Sequence, residues 1–142
     1  MTHLAHRVAS SFRRVTTTTA GHAAVDGYAR AWLEPDPAAR RALLERCWAV
    51  DGVYCDPLGR ATGRDGLADH IGGFQAEQPG ARLEVVTGVD EHDGWLRFGW
   101  HLRAPDGSVA LEGTDFGELD GDGVLRRIIG FFGPLPPGGS TS

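Results

Sequence analysis

The chain predicts an α+β domain: one curved antiparallel sheet with three helices packed on its concave face. Two observations carry this. Apolar residues recur at helical spacing through the first half and at strict period two through the second. Short turn clusters, "APDGS" at 104–108 and "DGDG" at 120–123, separate the period-two runs as hairpin loops would.

Each element follows in order. Residues 22–33 set Val25, Tyr28 and Trp32 on one helical face. Asp36 and Pro37 read as the N-cap and first position of a second helix, striped by Leu43, Leu44, Cys47 and Trp48. Residues 53–56 form a short strand, and 63–76 a third helix weakened by Gly66, Gly72 and Gly73. Residues 82–89 read as the next strand. In 95–103, Leu96, Phe98, Trp100 and Leu102 share the core face. Residues 109–119 return, and 124–132 end the sheet. There Ile128, Gly130 and Phe132 face the core, while Ile129 and Phe131 make the other face apolar too.

At 142 residues the simplest organisation is one domain over 21–133, with a flexible basic extension at 1–20 and a flexible tail at 134–142. Residues 1–19 hold three arginines and no acid. That composition is like a transit peptide's, without the apolar stretch of a secretory signal. The chain has no lysine, which excludes Schiff-base chemistry on a lysine. Beyond residue 19 it carries 11 arginines against 19 acids, a balance that argues against nucleic acid as partner. No apolar run approaches a membrane span. Cys47 and Cys55 form neither a metal pattern nor a disulfide framework, and fit a reduced, cytoplasmic setting. No spacing of histidine, cysteine and carboxylate implies a metal. "DGDG" lacks the remaining ligands of a calcium loop and reads as a turn. His92 falls at a hairpin tip, and His101 points away from the core register, toward a possible subunit contact.

One position breaks the apolar pattern. In 109–119 the core register runs Val109, Leu111, Gly113 and then Asp115. A buried, unpaired carboxylate is costly, so Asp115 must find a partner or hold its proton, unless a bulge at Gly117 turns it out. Tyr28 lies on a buried stripe, and its hydroxyl needs a partner. Asp56 stands before Pro57 at a strand end, where it reads either as a turn residue or as a functional carboxylate. Together the three would define an apolar pocket with convergent polar groups.

The segments "YARAW", "CWAVDGVYCDPLGRATG" and "GTDFGELDGDGVLRRIIGFFG", with the helix–helix–strand–helix–sheet order, resemble the nuclear-transport-factor-2-like (NTF2-like) superfamily. This includes the SnoaL-like polyketide cyclases and the ketosteroid isomerases. The resemblance spans about residues 24–133 and implies a cone-shaped sheet enclosing the pocket. Residue by residue it is nearest the ketosteroid isomerases. It implies Asp56 as the proton-shuttling base, Tyr28 as a donor to the oxyanion, and a protonated Asp115 as the second donor. Trp32, His70, Phe74, Trp100, Ile128 and Phe132 would wall the substrate site. His70 departs from the isomerases, which carry an apolar residue there. It reads equally as a donor or base and as a partly exposed helix histidine. Trp32, Trp48 and Trp100 suggest a narrower cavity than a steroid needs. The Arg-x-Asp pair of limonene-type epoxide hydrolases is missing.

Two functions are therefore expected. One is a cofactor-independent isomerase or cyclase that removes a proton next to a carbonyl of a hydrophobic polyketide- or steroid-like molecule and stabilises the enolate. The other is a non-catalytic small-molecule-binding or dimerisation module on the same scaffold. Either way the expected partners are a hydrophobic small molecule and a second copy of the chain, through the outer sheet face.

Overall fold

The computed structural model describes residues 19–139. The expected basic extension lies almost wholly outside them, as do the last three residues of the expected tail. Residues 134–139 form no helix or strand.

Helix α1 (Thr19–Leu33) starts three residues earlier than the sequence pattern suggests and buries Val25, Tyr28, Ala31 and Trp32 on one stripe. Helix α2 (Pro37–Cys47) opens as expected: the Asp36 side chain accepts from the Ala39 backbone N–H at 2.9 Å. Such a cap is worth about 1 kcal/mol. Arg40 on α2 is buried, and among the described residues it enters no ion pair with a carboxylate. Its guanidinium instead donates to the Glu34 and Pro35 carbonyls beyond the end of α1, and to Gln75 Oε1 at 2.7 Å. One cation thus ties the three helices together through otherwise unmet carbonyls.

Strand β1 (Trp48–Asp56) is longer than the expected 53–56. Trp48 ends the helix and begins the strand, and it still packs in the core. Gly52 makes room, since a Cβ there would meet Trp48 Nε1 at 2.5 Å. Two successive outward residues, Val50 and Asp51, interrupt the alternation and mask the strand's start in the sequence. Strand β2 (Gly59–Thr62) pairs back on β1, and helix α3 (Gly63–Glu77) follows. The remaining strands are β3 (Arg82–Val85), β4 (Asp90–His92), β5 (Trp95–Arg103), β6 (Val109–Leu119) and β7 (Leu125–Phe132).

The sheet corrects the expectation in two ways. It is mixed, not antiparallel, because β1 runs parallel to β7. Nor is it a cone. The order β2-β1-β7-β6-β5-β3 leaves β2 and β3 as open edges, and the sheet is not strongly curled. Alternation reports which face a side chain takes but is blind to strand direction and closure. The expected strand over 82–89 is also cut short: only Arg82–Val85 forms a strand, and β4 begins beyond the expected range. β3 and β4 lie along the same edge of β5, and between them the Thr87 hydroxyl accepts from the Gly99 N–H at 2.8 Å.

The inner sheet face packs Leu96, Phe98, Trp100 and Ile128 against the helices. The outer face carries Ile129 and Phe131, 37% and 56% exposed, with Phe116 edge-on to Phe131 at 5.8 Å.

Candidate active site

Asp56, Gly130 and Asp115 lie in one row across three neighbouring strands. Asp115 on β6 is register partner to Gly130 on β7, and the pairing of Cys55 with Ile129 sets Asp56 beside the same glycine. The row depends on the missing side chain. A Cβ at Gly130 would stand 2.8 Å from Asp115 Oδ1 and 3.5 Å from the Asp56 Cβ. A second glycine clears space for Trp100. Any Cβ on its register partner Gly113 would collide with the indole, which lies across β6 and donates its N–H to Asp115 Oδ1 at 2.8 Å.

Asp115 is 4% exposed and has this one donor. Burial pushes its pKa up to about 7; the Trp100 N–H opposes the rise and the charge of Asp56 adds to it. With Oδ1 occupied by the indole, the acid proton belongs on the other oxygen.

Asp56 is held differently. Its Oδ1 accepts from the backbone N–H groups of Leu58 and Gly59, at 2.7 and 3.0 Å. Its Oδ2 accepts from the Tyr54 hydroxyl at 2.5 Å. The carboxylate therefore serves a turn with one oxygen and meets a phenol with the other. Tyr54 is a site residue that the sequence pattern did not single out. Its signal is period two: a residue two before Asp56 on a strand shares its face. Burial, and its donated hydrogen bond to Asp56, push the Tyr54 pKa far up, so it stays a phenol.

Tyr28 is wholly buried, stacked on Trp48 at 6.0 Å and edge-on to Trp32 and Phe98. Burial raises its pKa well above the ordinary value, and the charge of Asp115 raises it further. The Trp32 N–H lies near enough to offset a little of that rise, yet it completes no hydrogen bond among the described residues.

These groups line one cavity of about 370 Å³ between α1, α3 and the sheet. Trp32, His70, Phe74, Trp100 and Phe132 line it as well. His70 packs against the rings of Trp32 and Tyr54, at 5.9 and 5.0 Å. Ile128 does not reach it. That side chain lies beneath Gly117 in the core, because alternation tells face and not depth. Asp69 and Glu77, which no sequence pattern marks, stand exposed among the lining residues contributed by α3.

Other groups are quiet. Cys47 is a core thiol pushed up to about 12 by burial. His101 faces Glu112 on the outer side at 3.7 Å. Among the described residues no cluster of three or more histidine, cysteine or acidic side chains could hold a metal, and no helix is long and apolar enough to cross a membrane.

Residues 25–128 match the family model of the SnoaL-like domain. A proposed isomerase of the SnoaL-like family from Agrobacterium tumefaciens strain C58 is 32% identical, over 82% of this chain and all of that one, with a TM-score of 0.78. An NTF2-like protein of unknown function from Exiguobacterium is 17% identical over 79% of this chain and 99% of its own, at a TM-score of 0.62. A proposed polyketide cyclase from Sinorhizobium meliloti is 16% identical over 75% and 92%, at 0.60. These last two share the fold. No curated protein sequence matches significantly. With a family model across most of its length and a relative at this identity over its full span, the chain belongs to the SnoaL-like family of the NTF2-like superfamily.

Proposed function

We propose that the chain is an isomerase or cyclase that removes a proton next to a carbonyl of an apolar small molecule. The observation that carries this is the shared cavity of Asp56, Tyr28 and Asp115, with Asp115 poised to keep a proton. In the proposed step an Asp56 oxygen takes the α-proton. The C–H electron pair becomes the carbon–carbon double bond of the enolate, and the carbonyl π pair moves onto oxygen. Tyr28 and neutral Asp115 donate hydrogen bonds to that oxygen. Where the ketone carries a β,γ double bond the enolate is a dienolate, and return of the proton to its γ-carbon, as the carbonyl reforms, gives the conjugated isomer. Attack of the enolate carbon on a second carbonyl carbon of the same molecule closes a ring: the first carbonyl reforms, the π pair of the second moves onto its oxygen, and that oxygen takes the proton from Asp56.

A second reading, a pocket that binds without chemistry, draws support from the three donors already on Asp56. Solvent deuterium separates the two. Apolar enolisable ketones, incubated with the protein in heavy water, should gain deuterium at the α-carbon faster than in buffer. Ketones that bind yet exchange at the buffer rate would favour the binding reading.

We also propose a homodimer through the outer face of β6 and β7, in a reducing, cytoplasmic setting. Exposed Phe116, Ile129 and Phe131 form the apolar strip such a contact needs. Sedimentation at micromolar concentration should give a dimer, and Phe131→Glu should shift it to monomer. A wild-type monomer removes this proposal.

A further inference from the structure

The charges around the cavity are one-sided. Four carboxyl groups line it: Asp56 and Asp115 at the sheet, Asp69 and Glu77 on α3. Among the described residues no arginine lines it and His70 is the one basic side chain in the wall; the chain has no lysine. Asp69 and Glu77 enter no ion pair among the described residues, so their charge is not spent on a protein partner.

The walls have a matching character. Tyr28, Trp32, Tyr54, Phe74, Trp100 and Phe132 surround the space. Trp32 sits at the centre of the α1 side, with the Tyr54 ring 5.6 Å and the Phe74 ring 5.5 Å away. Trp100 and Phe132 stand edge to face at 5.7 Å on the sheet side. Aromatic faces attract cations through the ring quadrupole, most strongly where water is excluded. An apolar wall alone would take a neutral ligand equally well; the carboxylates break the tie. A ligand carboxylate or phosphate would meet like charge, with neither arginine nor lysine among the lining residues to receive it.

We infer that the cavity selects small molecules carrying an alkylated ammonium group next to an apolar body, and rejects anionic ones. This names the charge class of the ligand, and it rests on the reading of the cavity as the ligand site. Asp115 strengthens the preference as it ionises, which occurs near pH 7.

Three probes of one shape test it. Titration calorimetry on the full chain compares (3-methoxyphenyl)trimethylammonium, its neutral isostere 3-tert-butylanisole, and 3-methoxybenzenesulfonate. A pH of about 8 keeps an ordinary histidine neutral. The cation should bind at least about tenfold more tightly than the neutral isostere, and the sulfonate should be the weakest of the three. Added salt should narrow the gap. Asp69→Asn combined with Glu77→Gln, both at exposed positions, should reduce the ratio of cation to neutral affinity. Equal binding of cation and neutral isostere, or preference for the sulfonate, overturns the charge selection while leaving the cavity as a ligand site. Binding of none of the three overturns both.

Discussion

Asp115→Asn will flatten the pH dependence of stability between about pH 4 and pH 7. In the folded chain, burial lifts the Asp115 pKa from 3.8 to about 7. Between those values the native state keeps a proton that the unfolded chain has released. Native stability is therefore fully present below the unfolded value, falls as pH rises, and levels off above the folded value. Three units at about 1.4 kcal/mol each make the wild-type loss on the order of 4 kcal/mol. Asparagine cannot ionise. Its oxygen still accepts from Trp100, and its amide supplies a donor where the acid proton stood. Urea unfolding of both proteins from about pH 4.5 to about pH 8 should show the curves diverging as pH rises, with the variant the less sensitive. Parallel curves would mean that Asp115 titrates like an exposed aspartate, and its role as a neutral donor would lose its physical basis.

The inward position of Asp115 is legible in the amino-acid sequence because β6 alternates strictly enough to assign it to the inner face. β5 has the same property, and the Asp36–Pro37 pair marks the start of α2 by its chemistry alone. What stays hidden depends on neighbours distant in sequence. The parallel pairing of β1 with β7 leaves no mark on alternation, since a strand's pleat is the same in either direction. The break between β3 and β4 exists because a Thr87 hydroxyl replaces a backbone acceptor. Ile128 takes the inner face that its register implies, yet it sits below the cavity floor. Tyr54 is easily missed while Asp56 reads as no more than a strand end, when the strand's inner face carries both. Gly130 is legible as a core position, but its use is not. Only the row across three strands reveals that an absent side chain lets two carboxyl groups stand near each other.

Asp56→Asn will lower α-deuterium incorporation by about 10²–10⁴-fold, the usual worth of a positioned general base. The substitution isolates basicity from architecture. The asparagine oxygen can still accept from the Leu58 and Gly59 N–H groups, so the turn survives. Its amide nitrogen would replace Oδ2 and cannot accept from Tyr54, which must then turn its own oxygen toward that N–H. Ligand affinity should change little, so the loss should fall on kcat and not on KM. Tyr54→Phe provides the complementary case. It leaves the carboxylate but removes the donor that orients Oδ2, so it should cost less and shift the pH profile of the rate, which a merely structural role would not do. If Asp56→Asn exchanges as fast as wild type, the carboxylate is a turn residue and the base lies elsewhere in the cavity. If it loses exchange while still binding ligand as tightly as wild type, the Asp56 carboxylate is the group that moves the proton.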